Sequence, residues 1–531
     1  MANRVLKLLL SFVVAGGVAL SVPAFSALAA ENAPEAGKEL VFVNFRDIRD
    51  LNPHLYAGEM YAQGMIYDRL IDISAEGYVP ALAEKWDISD DGKVYTFHIR
   101  KGVKFSDGEI CDANAVKANF DAILENRERH TWLEMMHLLE KVEVLDDHTF
   151  RITMSAPYFP MLTELGVTRP FAMISPKALK NGSSKDGVGA FVGTGPYKLV
   201  DFVRDEYAVF EANEHYWGKA PAIKRIRVKV IPDNQTRILA LEKGEIDLIY
   251  GKNMIDAEAI NTYKKSDKFD VALSEATSTR QIVLNSTNEI LKDGAVRRAL
   301  QHATNRAEIS EGVFYGLEQP ADTLFARTVP YCDIDLKPYG YDMETAAGML
   351  DEAGWKLAGN VREKDGKKLE LTLLYNSNSV TEKTIAEYLQ SEYAKAGIAV
   401  AIKGEEEQSY RDNMKAGNFD MVFNICWGTP YDPQSSLAAM RQRVYGDYAA
   451  QLGLHDKKEI DETITKILVT TDEKERQELF SFVLTRLHEA AVYIPLTYEC
   501  NKALYRSDLK GVAFTQSQYE VPFAGMYFEK N

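Results

Sequence analysis

The chain has 531 residues, of which 46% are hydrophobic and 26% charged, a composition typical of folded proteins and unlike that of disordered or fibrous chains. Its 62 Lys and Arg residues against 78 Asp and Glu residues give a formal net charge of -16 (62 minus 78). Nucleic-acid binding depends on clustered Lys and Arg that displace counterions from phosphates. The acidic balance therefore predicts a large folded protein without a nucleic-acid partner.

The first 29 residues carry the features of a secretory signal peptide. Arg4 and Lys7 form a positive segment, residues 8–22 an apolar segment, and residues 27–29 (ALA) a small-x-small cleavage site. A membrane helix needs about 20 apolar residues, and a proline followed by small residues interrupts this stretch. We therefore predict a cleaved signal peptide over residues 1–29 and export of the mature chain.

The chain lacks the common catalytic and metal-binding motifs. It contains no HExxH, P-loop, GxSxG or EF-hand sequence. His130 and His137 lie seven residues apart on one predicted helix, which leaves a metal pair open, but scattered histidines are more often structural. Four widely spaced cysteines also leave their pairing open. These observations predict a protein that is not an enzyme and has no resident cofactor.

In the N-terminal third, the hydrophobic pattern predicts an antiparallel β region that contains one helix. Apolar residues alternate over 95–99 after a turn at 89–92, and a second hairpin follows at 142–154. Between them, Asp112 is the predicted N-cap of a helix. The apolar stripe of that helix is predicted to face the core and consists of Val116, Phe120, Ile123 and Leu124.

A later region alternates strands and helices. The predicted strands are 369–375, 398–402 and 420–426, and the predicted helices are 381–396, with Gly397 as its C-cap, and 408–415. This order favours parallel pairing with right-handed crossovers, and such sheets bind ligands beyond the carboxyl ends of their strands. Residues 427–433 (WGTPYDP) follow the third strand directly. Trp427 and Tyr431 are therefore either ligand contacts or the packing of a self-contained loop.

Seven short segments carry a family resemblance over nearly all of the mature chain. They are 51–55 (LNPHL), 82–86 (LAEKW), 100–108 (RKGVKFSDG), 193–197 (GTGPY), 213–218 (NEHYWG), 244–247 (GEID) and 296–300 (VRRAL). In this order they resemble the large periplasmic solute-binding proteins of ABC importers for peptides and nickel. The resemblance implies a mixed α/β fold of two lobes joined by two chain crossings, with the ligand cleft between the lobes.

The family resemblance also implies domain limits, location and partners. We expect lobe I to comprise residues 30–278 and 500–531, and lobe II to comprise residues 279–499. The mature protein is then periplasmic and monomeric, and it passes its ligand to a membrane permease and its ATPase, touching the inner membrane only through that complex.

Four further segments resemble the nickel-binding members of the family: 126–134, 168–171, 321–326 and 427–433. The resemblance implies a ligand pocket built from Tyr56, Met60, Arg129, Trp132, Arg169, Trp427, Tyr431 and, by an ungapped alignment, Tyr445. Peptide-binding members place an acidic residue where this chain has Pro430. A peptide ammonium would then be buried without its counter-charge, which costs several kcal/mol.

The residues of this implied pocket suit an anionic chelate. Guanidinium groups bind carboxylates in a bidentate manner, so Arg169 and Arg129 are predicted to hold a chelator while the aromatic residues enclose its apolar faces. For either arginine, the alternative is an ion pair that serves the fold. Met60 offers a soft thioether or simply fills a gap.

One position departs from the nickel-binding members, which carry a histidine where this chain has Tyr445. A neutral phenol is a poor Ni²⁺ ligand, so either the chelator supplies the metal ligands or the protein takes another chelated metal or small anionic solute. His455 lies ten residues further on and is a candidate substitute. Cys426 is expected to be a buried strand-end residue. The sequence predicts capture of a nickel(II) chelate, with a peptide, haem or another metallophore as the alternative ligand.

Overall fold

The computed structural model describes residues 37–530, so the predicted signal peptide lies outside the described residues. The strands are β1 Leu40–Asn44, β2 Ile71–Ser74, β3 Gly77–Pro80, β4 Ala83–Ile88, β5 Val94–Ile99, β6 Leu139–Asp146, β7 Thr149–Met154, β8 Leu179–Lys180, β9 Ser183–Val188, β10 Tyr197–Val203, β11 Tyr207–Ala212, β12 Arg225–Val230, β13 Leu248–Tyr250, β14 Phe269–Leu284, β15 Gln319–Pro320, β16 Lys356–Ala358, β17 Val361–Lys364, β18 Lys367–Lys368, β19 Glu370–Asn376, β20 Ala399–Glu405, β21 Met421–Ile425, β22 Tyr493–Arg506, β23 Leu509–Lys510 and β24 Tyr527–Phe528.

The α-helices are α1 Met60–Ile66, α2 Ala113–Glu125, α3 Met135–Leu138, α4 Met161–Leu165, α5 Asn234–Glu242, α6 Ala257–Tyr263, α7 Gly294–His302, α8 Arg306–Phe314, α9 Met343–Glu352, α10 Val380–Lys395, α11 Glu407–Ala416, α12 Gln434–Met440, α13 Asp447–Leu452, α14 Lys457–Val469 and α15 Glu473–Ala490. Short 3₁₀ turns occur at Arg127–His130, Pro176–Ala178 and Phe523–Gly525.

The largest sheet has 11 strands in the order β10-β11-β12-β1-β13-β22-β14-β21-β19-β20, with β15 paired to β22. Strand β1 is parallel to β12 and β13, and β22 is antiparallel to β13 and β14. Strand β21 is antiparallel to β14 and parallel to β19, which is parallel to β20. The sheet is therefore mixed, as predicted.

The two longest strands, β14 and β22, connect the two halves of this sheet. They pair with each other from Phe269 to Val283, with register shifts in the middle of the pairing. One end of the pair adjoins β13 and the other adjoins β21. The predicted lobe boundaries, 278/279 and 499/500, lie inside these strands and stay a prediction.

The predicted elements of the N-terminal third are confirmed. Strands β4, β5, β7 and β6 form an antiparallel sheet in this order, and β5 and β7 bury alternate residues. Helix α2 begins after Asp112, whose carboxylate accepts a hydrogen bond from the backbone N–H of Ala115 at 2.9 Å. Val116, Phe120 and Ile123 are fully buried in the core between α2 and the sheet, and Leu124 is partly buried against it.

The predicted strand–helix alternation is also confirmed, as β19, α10, β20, α11 and β21. The C-cap of α10 is Ala396, and Gly397 follows it with φ +78°, so the prediction was one residue late. Along β21, Met421 and Phe423 enter one core and Val422 enters another. Because side chains of a strand alternate between its faces, both faces of this part of the sheet are covered.

All four cysteines are buried and free of disulfides. Among residues 37–530, no helix has both the length and the apolar character needed to span a membrane.

Candidate ligand cavity

A cavity of about 1470 Å³ opens at the carboxyl end of β21, between the two halves of the main sheet. All the pocket residues predicted from the sequence line it, namely Tyr56, Met60, Arg129, Trp132, Arg169, Trp427, Tyr431 and Tyr445. They come from five separate segments of the chain. Long-range folding therefore brings these residues to one place.

The loop between β21 and α12 carries Trp427 and Tyr431 into the cavity. Gly428 has φ +77°, and a Cβ atom at this position would lie 2.0 Å from the side-chain nitrogen of Gln518. The Asp432 carboxylate accepts hydrogen bonds from the backbone N–H of Gly428 at 2.7 Å and from the Ser436 hydroxyl. Glycine and aspartate thus fix the path of this loop.

Aromatic rings form a continuous cage at this end of the cavity. The ring centroid of Trp132 lies 5.6 Å from that of Trp427, 5.9 Å from that of Tyr431 and 5.8 Å from that of Tyr56. Trp427 also meets Tyr445 edge-on at 6.1 Å. The loop aromatics therefore pack against each other and also line the cavity, so the packing is confirmed and their contact with a ligand stays a prediction.

Arg169 projects into the cage from the segment after α4. One guanidinium nitrogen donates to the carbonyl oxygen of Gly58 at 2.9 Å, and the guanidinium lies 5.5 Å from the ring centroid of Tyr56. No ion pair of residues 37–530 includes Arg169, and the neighbouring Glu59 pairs instead with Arg46 at 2.6 Å. Burial lowers the pKa of Arg169, but a guanidinium keeps its charge at pH 7. Arg169 is therefore a half-buried cation without an anion.

Arg129 and Met60 lie beside this group. Arg129, in the 3₁₀ turn Arg127–His130, is exposed at the cavity wall, and its side chain makes no hydrogen bond or ion pair within the described chain. Met60 is the first residue of α1 and is half-buried at the same wall. Two unpaired guanidinium groups thus face one apolar cage, an arrangement that favours an anionic ligand with apolar faces.

The Tyr56 hydroxyl has two ring nitrogens as neighbours. The indole N–H of Trp132 donates to the Tyr56 oxygen at 2.7 Å, and Nδ1 of His130 lies 2.6 Å from the same oxygen. Burial raises the pKa of Tyr56 above its usual value, so the phenol is neutral. Burial, followed by the charge of Arg129, lowers the pKa of His130 to about 4.

The sequence offered three candidates for metal binding, namely His455, the pair of His130 and His137, and Cys426. His455 is 89% exposed and does not line the cavity, so it has no place in the function proposed below. The single helix predicted to carry His130 and His137 is wrong, because His130 ends the 3₁₀ turn Arg127–His130 and His137 lies in α3. His137 is exposed and bonds the carbonyl of Thr131. Cys426 lines the cavity, but burial raises the pKa of its thiol well above the usual range. Within residues 37–530, no group of three or more His, Cys, Asp or Glu side chains is placed to hold a metal ion.

Two residues of the C-terminal segment complete the cage and were missed from the sequence. The Gln518 amide donates to the carbonyl oxygen of Trp427 at 2.6 Å, and the Tyr519 hydroxyl donates to the same oxygen at 3.3 Å. Both residues line the cavity. Gln518 lies about ninety positions after the loop it holds, and no motif or periodicity marks it.

A buried cluster of charges also lines the cavity, at β14 and β22. Arg280 pairs with Glu499, Lys502 lies 3.3 Å from Glu318, and Lys252 lies 3.5 Å from Glu499. Burial alone would raise the pKa of Glu499, but the neighbouring cations, Arg280 first, bring it down to about 2. Every cation here has an anion within 4 Å, in contrast to Arg169.

Comparisons with known proteins agree with this geometry. The family model "Bacterial extracellular solute-binding proteins, family 5 Middle" matches residues 77–446. The nickel-binding periplasmic protein of Escherichia coli (strain K12) is 40% identical over 482 residues, which cover 90% of this chain and 92% of that protein.

Two solved structures are similar along nearly their whole length. NikA from Brucella suis in complex with Fe(III)-EDTA matches with a TM-score of 0.91 and 44% identity, covering 93% of this chain and 100% of that one. NikZ from Campylobacter jejuni in complex with Ni(L-His) matches with a TM-score of 0.77 and 26% identity, covering 92% and 99%. These similarities confirm the predicted two-lobed α/β fold, and the relatives are binding proteins, not enzymes.

Proposed function

Because the chain belongs to family 5 of the bacterial extracellular solute-binding proteins, we propose that it captures an anionic nickel(II) chelate and delivers it to an ABC importer. The nickel in this proposal is cargo held by a small chelator such as histidine. Ligand contacts from both lobes favour the closed state, and closure excludes water and so strengthens the contacts between guanidinium and carboxylate. No covalent chemistry is needed.

The single observation that carries the proposal is the unpaired Arg169. A half-buried guanidinium that makes one hydrogen bond to the protein retains several unused N–H donors. Leaving them without an anion costs free energy, and a chelator carboxylate removes that cost. The aromatic cage around Arg169 supplies apolar walls for the rest of the complex.

The same end of the cavity disfavours a peptide. Pro430 provides no acid, and the carboxylate of Asp432 is used by Gly428 and Ser436. A peptide ammonium in the cage would meet guanidinium groups and no free carboxylate, which is unfavourable by several kcal/mol.

Haem is a second candidate ligand, favoured by the size of the cavity. Ligand pockets commonly have volumes of about 300–1,000 Å³, whereas this cavity has about 1470 Å³. Haem carries two carboxylates and a large apolar plane, which suit unpaired arginines and aromatic walls.

The location and partners follow from this function. We propose that the mature chain is periplasmic and monomeric after removal of the predicted signal peptide, and that its closed form docks on the permease and ATPase of an importer. It binds no nucleic acid in this proposal, in agreement with its net charge of -16.

A fluorescence titration tests the proposal. Two of the five tryptophans, Trp132 and Trp427, line the cavity and report on its occupancy. The mature protein, stripped of ligand by unfolding and refolding, is titrated with Ni²⁺ alone, Ni²⁺ with excess L-histidine, haem, or a dipeptide pool. We expect a saturable response to nickel with histidine and a weak response to Ni²⁺ alone.

The competing results separate the alternatives. A response to dipeptides in metal-free buffer, and none to nickel with histidine, contradicts the proposal and the argument from Pro430. A response to haem and to none of the other ligands would make haem, and not a nickel chelate, the ligand of this protein. An Arg204→Ala variant is the control for surface charge, because the Arg204 side chain is 86% exposed.

A further inference from the structure

We propose that His130 and Trp132 together occupy both acceptor sites of the Tyr56 oxygen, so that the Tyr56 hydroxyl serves only as a hydrogen-bond donor to an anionic oxygen of the ligand. His130 is then a positioning residue, which contributes to ligand choice through Tyr56. This inference rests on the proposed function, since it assigns a role toward the chelator carboxylate.

The Tyr56 hydroxyl can form only a limited number of hydrogen bonds. A tyrosine hydroxyl donates one hydrogen bond and accepts two. Trp132 uses one acceptor site, because an indole nitrogen can only donate. The bond with His130, at 2.6 Å, takes either the second acceptor site or the only proton of Tyr56. The position of the proton on His130 therefore decides what Tyr56 offers to the cavity.

The buried surroundings of His130 favour the proton on Nδ1. The ring is completely buried, and its Nε2 has no hydrogen-bond partner in the described chain. A buried N–H group without an acceptor is rarer in proteins than a buried acceptor without a donor. Placing the proton on Nε2 creates such an N–H, whereas placing it on Nδ1 directs it to the Tyr56 oxygen.

Neutral His130 carries a single ring proton, which lies on Nδ1 or on Nε2 but not on both. Burial and the nearby Arg129 hold the pKa of His130 at about 4, so at pH 7 the ring carries one proton. With that proton on Nδ1, the hydroxyl proton of Tyr56 has no acceptor in residues 37–530 and faces the cavity that Tyr56 lines.

This arrangement adds a third donor beside the two arginines. Arg129, Arg169 and the Tyr56 hydroxyl then present only N–H and O–H groups at one wall of the cage. A carboxylate oxygen accepts from all three, and an ammonium group finds no acceptor there. The wall thus selects for the anionic face of a chelate.

Nuclear magnetic resonance tests the proton position without any ligand. The full-length mature protein is labelled with ¹⁵N at its histidine rings, and His130→Asn identifies the His130 signals by their loss. Bare and protonated ring nitrogens have well-separated ¹⁵N shifts, so the tautomer is read directly. We expect a protonated Nδ1 and a bare Nε2 at pH 7. A protonated Nε2 with a bare Nδ1 overturns the inference.

Binding of Ni²⁺ with excess L-histidine tests the role in ligand capture. Loss of a hydrogen bond to a charged group is worth about ten- to hundredfold in affinity, which we expect for Tyr56→Phe. His130→Phe should weaken binding by a smaller factor. His130→Asn, whose amide nitrogen occupies the position of Nδ1, should restore affinity to within about threefold of the wild type.

A double-mutant cycle distinguishes positioning from general structural support. If His130 acts through the Tyr56 hydroxyl, His130→Phe has no further effect in the Tyr56→Phe protein. Additive losses overturn the inference. His98→Asn is the matched control, because His98 pairs with Asp87 on the surface. If the wild-type protein fails to bind nickel with histidine, the proposed function fails, while the resonance experiment still decides the proton position.

Discussion

Two parts of the cavity lining contain the same kinds of charged residue, but in one part these residues are paired and in the other they are not. One is the cluster by β14 and β22, called here the hinge cluster, in which Arg280 pairs with Glu499 and Lys502 with Glu318, all of them buried. The other is the aromatic cage, where Arg169 has one bond to a backbone carbonyl and no acid, and the Arg129 side chain has no hydrogen-bond or ion-pair partner in the described chain. The paired cations are neutralised by carboxylates of the protein itself, whereas the unpaired cations remain available to the anionic groups of a ligand.

The difference shows that an arginine in a cavity is not by itself a binding residue. Breaking a buried pair leaves an uncompensated charge and destabilises the fold. Removing an unpaired guanidinium leaves no such charge, so its loss affects binding more than stability. Loss of an arginine should therefore cost mainly stability in the hinge cluster and mainly ligand affinity in the aromatic cage.

The largest expected effect is the loss of stability on Arg280→Met. Methionine keeps much of the volume but leaves Glu499 with Lys252 as its remaining close cation, at 3.5 Å. Breaking a buried pair costs about 3–5 kcal/mol of the free energy of unfolding, measured by urea denaturation. Arg327→Met is the control, because the pair of Arg327 with Asp322 is 40% and 37% exposed and should cost less than about 1 kcal/mol. Equal losses in the two variants would contradict the comparison.

The pH dependence of stability examines the same hinge cluster. Glu499 has a pKa of about 2 in the folded protein, below the ordinary 4.5 of the unfolded chain. Its contribution is present above about pH 4.5 and is lost as the pH falls through about 2. We expect a loss of roughly 3 kcal/mol at most over this range. Glu499→Gln, measured by the same denaturation series, should be less stable at pH 6 and should lack this part of the acid response.

In the aromatic cage, Arg169→Ala should weaken ligand binding and leave stability nearly unchanged, the opposite of Arg280→Met. We expect about a hundredfold weaker binding of nickel with histidine, equivalent to about 2.7 kcal/mol. The melting temperature should change by only a few degrees, because no anion loses its partner. Titration and calorimetry on one preparation give both quantities. Retained affinity with a large loss of stability would make Arg169 a structural residue.

The Tyr445→His variant tests whether the metal of the bound chelate lies close to position 445. Tyr445 lines the cavity and packs edge-on against Trp427. Imidazole is a far better ligand for Ni²⁺ than a neutral phenol, so binding of nickel with histidine should tighten by about tenfold, or about 1.4 kcal/mol. Tyr445→Phe is the matched control and should leave affinity within about threefold. If His and Phe behave alike, the metal lies away from position 445.

The fold was largely predictable because local pattern and family segments agreed. The alternation at 95–99, the Asp112 cap and the strand–helix order after 369 all correspond to β5, α2 and β19–β21. Gly397 was misplaced by one residue because the sequence shows a glycine favouring positive φ but not whether it is the cap or the following residue.

The site was only partly predictable. Tyr56, Arg169 and Trp427 are carried by motifs, but a residue's pairing state depends on distant segments. Nothing near Arg280 in the sequence indicates Glu499, and nothing near Trp427 indicates Gln518. His130 was noticed only as one half of a metal pair with His137, because its contact with Tyr56 spans 74 positions.

The smallest expected effect concerns Gln518, which bonds both the hinge cluster and the aromatic cage. Its side-chain oxygen accepts from Lys252 in the hinge cluster, and its nitrogen donates to the carbonyl oxygen of Trp427 in the cage. Since Lys252 also bonds Ser278 and Trp427 also accepts from Tyr519, each partner keeps a second contact after Gln518→Leu.

We therefore expect Gln518→Leu to lower the free energy of unfolding by only about 1 kcal/mol, the usual worth of a hydrogen bond. Chelate affinity should fall by a few-fold, because Trp427 is held less firmly. Gln518→Glu separates the two bonds, since a carboxylate keeps the contact with Lys252 and repels the Trp427 carbonyl. If Gln518→Glu weakens binding as much as Gln518→Leu does, the contact with Lys252 is dispensable and the bond to the Trp427 carbonyl carries the effect. If Gln518→Leu leaves both quantities unchanged, neither bond contributes.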